Sequence, residues 1–248
     1  MKNNLEIIEN SEKFDSIPKF ICTKCNLGVL KLIDIDKEQS SISKNRYEIL
    51  GDEESIFGNF VAKLKCENSD CQEKYFTTGI YNTIKDGFES LYFPEVNDTV
   101  EVPKIHTKYQ IKYINPNINI INLPEKLPEK LLYPINQSFS LYWIDKSACA
   151  NKIRIVIEIL LDIKKIRKTS TINGKRKRLN LHRRILEFKK KYPDIGDNLL
   201  ALKFIGNKGS HTNIKNITIL DAYKILENVL NLLYKKKNIN HLIKKYNK

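Results

Sequence analysis

The sequence predicts an α+β protein with a β-rich N-terminal part over residues 1–93, an extended proline-containing connector over 94–134 and a basic α-helical bundle over 135–248. Three observations predict it. Between residues 16 and 80, the segments FICTKC, VLKLIDI, NRYEIL, FVAKLKC and KYFTTGIYN are rich in β-branched and aromatic residues and separated by polar stretches, the pattern of short strands. Six of the eight prolines (Pro94, Pro103, Pro116, Pro124, Pro128 and Pro134) fall in the next segment, where lost amide donors and the bias against helix before proline favour extended chain. From residue 145 onward, apolar residues recur at steps of three and four.

The helices follow in order. Asp145 is placed to cap a helix over about 146–166, whose Cys149, Ile153, Val156, Leu160 and Ile163 share one face. Cys149 on that face reads as core. A second helix is predicted over 179–192, with Leu181, Ile185, Phe188 and Tyr192 on one side and Pro193 just past its end. A third starts near 197. A fourth starts at Thr218, which has capping-box spacing to Asp221 and precedes the stripe Ile219, Ala222, Tyr223, Leu226, Val229, Leu230 and Leu233. Four helices on short connections make a bundle, and the C-terminal KKKNINHLIKKYNK reads as a fraying basic helix.

Composition excludes several classes. No run of about eighteen apolar residues occurs, and the start MKNNLEIIENSEKF lacks the apolar core of a secretory signal, so the expected location is cytoplasmic, with no membrane partner. The net charge of +14 is uneven. Residues 1–150 hold 18 Lys and Arg against 22 Asp and Glu, a net −4, whereas residues 151–248 hold 25 against 7, a net +18. A field of that sign attracts polyanions, which release counterions on binding. An AT-rich genome also enriches Lys, Ile and Asn, so the clustering carries the inference and the total does not.

Five cysteines in a chain with no export signal argue against a disulfide framework. Cys22-Thr-Lys-Cys25 and Cys66-Glu-Asn-Ser-Asp-Cys71 form two close pairs about forty residues apart, the spacing of two knuckles that supply four thiolates to one tetrahedral ion. The alternative is four unrelated buried cysteines. Residues 16–80 resemble zinc ribbons, and with all four positions filled by cysteine the resemblance implies one structural zinc per chain.

The second constellation is ALKFIGN over 201–207, ending at His211, together with Arg154 and Glu158 one turn apart on an otherwise apolar helix. With LPEKL ahead of them, these residues make the segment 124–235 resemble a widespread prokaryotic helical family of unknown function. That family is often fused to, or encoded beside, restriction and antiviral proteins, and it looks like a distant branch of the HEPN superfamily. Active HEPN ribonucleases carry arginine, then a polar residue often asparagine, then three residues and histidine, and they cut RNA without metal at a site shared between two subunits. Asn207 and His211 match that pattern, but Gly206 stands at the arginine position. If the helix runs through Gly206, Lys203 lies one turn before Asn207 and supplies the charge, although each glycine costs a helix about 1 kcal/mol. The preferred alternative is that the glycines allow close helix packing while Asn207 and His211 hold the turn. Arg154 and Glu158 likewise have two readings, a device that fixes helix register or a source of the missing arginine.

The third feature is basic. Ten Lys or Arg fall in the twenty-one residues 164–184, around the segment TSTINGKRKRLNLHRR, read as a loop. Lys175, Arg176, Lys177, Arg178, His182, Arg183 and Arg184 are the candidate contacts to nucleic-acid phosphates, and a solvated lysine-rich surface is the alternative. Few aromatics interleave these charges, which disfavours base stacking. The expected function is a nucleic-acid-binding module in a prokaryotic defence or restriction setting. The competing hypotheses are a metal-independent endoribonuclease, with His211 as acid or base, Asn207 orienting, and Lys203 or Arg154 on the phosphate, and a protein-interaction adaptor. The HEPN resemblance implies homodimer formation through the bundle and a defence-system partner protein.

Overall fold

The structure, a computed structural model, describes residues 3–9, 11–51, 53–95, 97–172, 175–209 and 216–235, and it divides into two compact units, Met1–Ile118 and Asn119–Lys248. The fold is α+β, as expected. No helix among the described residues is long and apolar enough to cross a membrane.

Unit 1 is a four-stranded antiparallel sheet in chain order. After a short helix α1 (Asn4–Glu9) come β1 (Leu30–Gln39), helix α2 (Ser41–Leu50), a single 3-10 turn (Glu53–Ser55), β2 (Phe57–Cys66), β3 (Lys74–Phe93) and β4 (Asp98–Asn115). Strand period two places Phe60, Ala62, Leu64 and Cys66 of β2 on the buried face, joined by Tyr75 and Tyr81 of β3. The buried Asn4 side chain donates to Ile21 O and accepts from Ile21 N, which fixes the loop that carries the first cysteine pair. β2 pairs with β3 only over residues 74–82, so the outer half of β3 pairs with β4 alone.

Three expectations need correction here. FICTKC is not a strand but loop and turn, with one isolated bridge from Ile21 to Val29. NRYEIL is not a strand but the second half of α2, which is capped by the Ser40 side chain accepting from Ser43 N and closed by Gly51 at φ 61°. The segment 94–134 is not a connector. Residues 98–115 are β4, and the boundary between units falls at 118/119. Pro103 is tolerated because β4 is an edge strand and its partner Phe88 sits just past a bulge at Asp86–Gly87, where Gly87 adopts φ 82°.

Unit 2 contains α3 (Glu129–Ile144), α4 (Lys146–Ile163), a hairpin of β5 (Thr169–Ile172) and β6 (Lys175–Arg178), α5 (Leu181–Lys191), α6 (Pro193–Gly209) and α7 (Asn216–Tyr234). Asp145 caps α4 as expected, its Oδ1 accepting from Ser147 N and Ala148 N. α4 packs against α3, α5, α6 and α7 and is the central helix, which accounts for its apolar faces. Cys149 is core. Its sulfur lies 3.2 Å from the Tyr223 hydroxyl, which donates to Ser138 Oγ, and burial pushes the thiol pKa up to about 12. α3 has no counterpart among the predicted helices, because Pro128 and Pro134 mask it. Pro128 in fact stands at its N-cap position, where no amide donor is needed. Pro193 opens α6 instead of merely ending the preceding helix.

Asp162 near the end of α4 accepts from Arg184 Nη2 of α5 at 2.6 Å and from Lys168 Nζ at 2.7 Å. Arg184 is 9% exposed at its side chain and also donates to Ile166 O at 3.3 Å, so this ion pair joins α5 to the end of α4. Burial alone raises the Asp162 pKa, but the bonds from Lys168 and Arg184 outweigh it and hold the carboxyl below its ordinary value of 3.8. A lowered folded pKa contributes stability that is present above the ordinary value and lost as pH falls through the folded one. We therefore expect helical circular dichroism to melt at lower denaturant as pH drops below about 4. Asp162→Asn should lower stability at pH 7 by about 1–3 kcal/mol and shrink this acid-linked loss. The lower end applies, because Asp162 is 38% exposed. An unaltered acid profile in the variant would show that the pair is not responsible.

Candidate metal centre and nucleic-acid interface

The four paired cysteines converge. One sulfur from each of Cys22, Cys25, Cys66 and Cys71 lies within 4.8 Å of the others. The Cys22–Cys71 and Cys25–Cys66 sulfur separations are both 3.7 Å. A tetrahedron with metal–sulfur bonds of about 2.3 Å has sulfur–sulfur edges of about 3.8 Å, whereas a disulfide needs about 2.05 Å. The residues therefore fit a four-coordinate metal ion.

Local backbone chemistry builds this arrangement. Cys22 and Cys25 lie in a tight turn closed by Asn26 N donating to Cys22 O, and Cys66 ends β2. Cys71 lies in a second turn closed by Gln72 N donating to Asn68 O. Asn26 and Gln72, each directly after the last cysteine of its turn, both adopt φ 54°. Gly28 N donates to Cys25 Sγ at 3.4 Å, and this amide with that of Leu27 holds the Cys25 thiol down to about 6. Burial acts the other way on Cys66 and pushes it up to about 12. A bound cation favours the thiolate at both. The buried Tyr75 hydroxyl accepts from Thr23 N at 3.1 Å and lies 3.5 Å from Cys22 Sγ, fixing the first turn against β3. Neither Gly28 nor Tyr75 was a candidate from sequence. The glycine three residues past Cys25 was the available signal.

In unit 2 the structure brings Arg154, Glu158 and Asn207 together. Arg154 of α4 donates from Nη1 to Asn207 Oδ1 of α6 at 3.0 Å, and its Nε lies 3.7 Å from Glu158 Oε1. The ion pair is not desolvated, with side chains 37% and 43% exposed. α6 runs through Gly206, where an added Cβ would sit 3.1 Å from Arg154 Cβ and 3.4 Å from Ala150 O. The missing side chain makes room for the arginine of the neighbouring helix. Lys203 lies one turn before Asn207, and its ammonium rests 4.6 Å from the Phe204 ring centroid. His211 lies outside the described residues.

The basic segment is a hairpin and not a loop. Lys175, Arg176, Lys177 and Arg178 form β6, all four exposed, paired with Thr169–Ile172. Asn173-Gly174 is the sequence signature of a two-residue hairpin turn, and these two residues lie outside the described ones. Arg183 is exposed, and His182 is half-buried with Nδ1 lacking a partner. Arg184 departs from expectation, because its buried guanidinium is engaged by Asp162 rather than free on the surface.

These features define a two-unit protein in which a four-cysteine centre organises an antiparallel sheet unit and a basic hairpin projects from a helical one. Residues 136–248 match a family described as a domain of unknown function (DUF4145), and residues 11–101 match a second, also described as a domain of unknown function (DUF8608). No curated protein and no solved structure matches the chain.

Gly28→Ala would place a methyl group 2.6 Å from Cys66 Sγ and 2.9 Å from Asn68 Cβ. We expect it to weaken metal affinity by roughly 10–100-fold in competition with a chromogenic chelator. Leu27→Ala, at a side chain 77% exposed, should leave affinity unchanged. Equal affinities for the two variants would remove Gly28 from the centre.

Proposed function

We propose that this chain is a nucleic-acid-binding protein that contacts the phosphate backbone through its helical unit, while one structural zinc ion stabilises the sheet unit. The single observation that carries the reading is β6, four consecutive cations exposed on a hairpin with no carboxylate within ion-pair distance among the described residues. Unpaired cations held along one strand repel one another, and a polyphosphate relieves that repulsion with release of counterions. An all-sulfur tetrahedral donor set is the set that zinc takes in closed structural sites, so the metal bound at the four cysteines should be zinc at one per chain. The prokaryotic defence or restriction setting rests on the resemblance of residues 124–235 alone.

Binding should be indifferent to sequence and strongly salt-dependent. Replacing Lys175, Arg176, Lys177 and Arg178 together with alanine should weaken it and flatten the slope of log affinity against log salt by up to roughly 3–4 units. An unchanged slope would place the interface elsewhere.

A second reading, a metal-independent HEPN-type endoribonuclease, is favoured by the Arg154–Asn207 hydrogen bond, which sets a guanidinium beside the asparagine of the motif although residue 206 is glycine. In that reading Arg154 holds the phosphate, Asn207 orients it and His211 transfers the proton. Excess wild-type protein incubated with RNA in chelator tests it. Cleavage that falls by about two to four orders of magnitude in His211→Ala is the enzymatic outcome, and intact RNA with both proteins rejects it.

A further inference from the structure

Beside the hairpin, unit 2 contains a cleft of about 370 Å³, within the range of small-molecule sites, roughly 300–1,000 Å³. Arg154 and Glu158 line it with Asp162, Lys168, Arg178 and Arg184. Four cations against two carboxylates leave an excess of two positive charges. The two carboxylates are already engaged, Asp162 by Lys168 and Arg184, and Glu158 by Arg154. Arg178 has no acidic partner among the described residues.

A second, independent observation points to a ligand. Arg184 is 7% exposed, and while its Nη2 is engaged by Asp162 and Ile166 O, its Nε–H is buried with no acceptor. A buried guanidinium donor left without an acceptor is costly, and none of the described residues supplies one. An anionic oxygen entering the cleft would. The first turn of α5 adds to this. Asn180, its N-cap, and Leu181 also line the cleft, so the positive end of the helix borders the same space.

We propose that this cleft binds a phosphomonoester, the terminal phosphate of a nucleic-acid strand or of a free nucleotide. The charge argues for an end and not an internal linkage. A terminal phosphate carries about −1.5 to −2 at pH 7, which balances the excess of two, whereas a phosphodiester carries only one negative charge. Arg178 is both the last residue of β6 and a wall of the cleft, so a strand lying along Lys175–Arg178 delivers its end there. The inference deepens the nucleic-acid reading above, from which it takes the strand as carrier of the phosphate.

The test uses the full chain and titration calorimetry with four probes: a short single-stranded oligonucleotide ending in 5′-phosphate, the same strand with 3′-phosphate, the same strand with hydroxyls at both ends, and a nucleoside 5′-monophosphate. A terminal phosphate at one end should strengthen binding over the hydroxyl form by roughly tenfold or more, and the gain should shrink as pH falls below the phosphate's second pKa near 6. Arg154→Gln, which removes the charge but keeps a polar side chain, should bring the ratio of phosphorylated to hydroxyl affinity close to one. Glu158→Gln removes a negative charge from the cleft and should raise that ratio, which separates the effect from general loss of folding. Equal affinity of all three oligonucleotides, with no binding of the monophosphate, overturns the cleft and leaves backbone binding in place. Binding of the monophosphate with no oligonucleotide bound supports the cleft with a free nucleotide as its ligand, and it is the nucleic-acid reading that then fails.

Discussion

Four sulfurs within 4.8 Å of one another tie separate parts of unit 1 together. They come from three pieces of chain: a turn before β1, the last residue of β2 and a turn before β3. Strand period two then does the rest. Cys66 faces the interior only while Phe60, Ala62 and Leu64 do, and a register slip of one residue would turn all four outward together. Gly28 must lack a side chain because Cys66 Sγ occupies the space that one would fill, and Tyr75 must carry a hydroxyl because Thr23 N needs an acceptor beside the sulfurs. Four thiols this close suit a shared cation. Thiolates at this separation repel without a cation between them.

Unit 2 depends on a different constraint, the cost of enclosing Arg184. A guanidinium cannot shed its charge, so the fold supplies Asp162 and a backbone carbonyl to it. Meeting that need ties the start of α5 to the end of α4 and leaves the intervening hairpin on the outside, where β6 presents its cations. The same geometry creates the cleft. Asp162 and Ile166 O both bond Nη2, Nε is without an acceptor among the described residues, and Arg184 lines the cleft.

Legibility in the sequence followed the range of the interactions. The cysteine pairs, the Asp145 cap and the apolar faces of the helices could be read because each is written within a few residues. NRYEIL reads as a strand from its residue types, while its fate is decided at the ends of α2, by Ser40 and Gly51. β4 was read as connector because its prolines suggested loop, and only the topology reveals that it is an edge strand that can bear Pro103. α3 was lost for the same reason. Among the site residues, Arg184 looked like one more surface cation in a run, and nothing local distinguishes it from Arg183. The difference is Asp162, twenty-two residues earlier in the chain and on another helix.

The glycine at 206 is intelligible only from α4. An arginine there would project from α6 into the place where Arg154 Cβ already stands, 3.1 Å from even a first carbon. A side chain at 206 would therefore require Arg154 to give by a few tenths of an ångström, and a second guanidinium there would add like-charge repulsion. In this packing the guanidinium comes from α4, and Arg154 donates to Asn207. A cation delivered from α4 differs from one delivered from α6 in what surrounds it. Arg154 has Glu158 one turn away and borders the cleft that also holds Arg178 and Arg184. Arg154 thus combines a hydrogen bond to Asn207 with a place in a cluster of cations that lines one cleft.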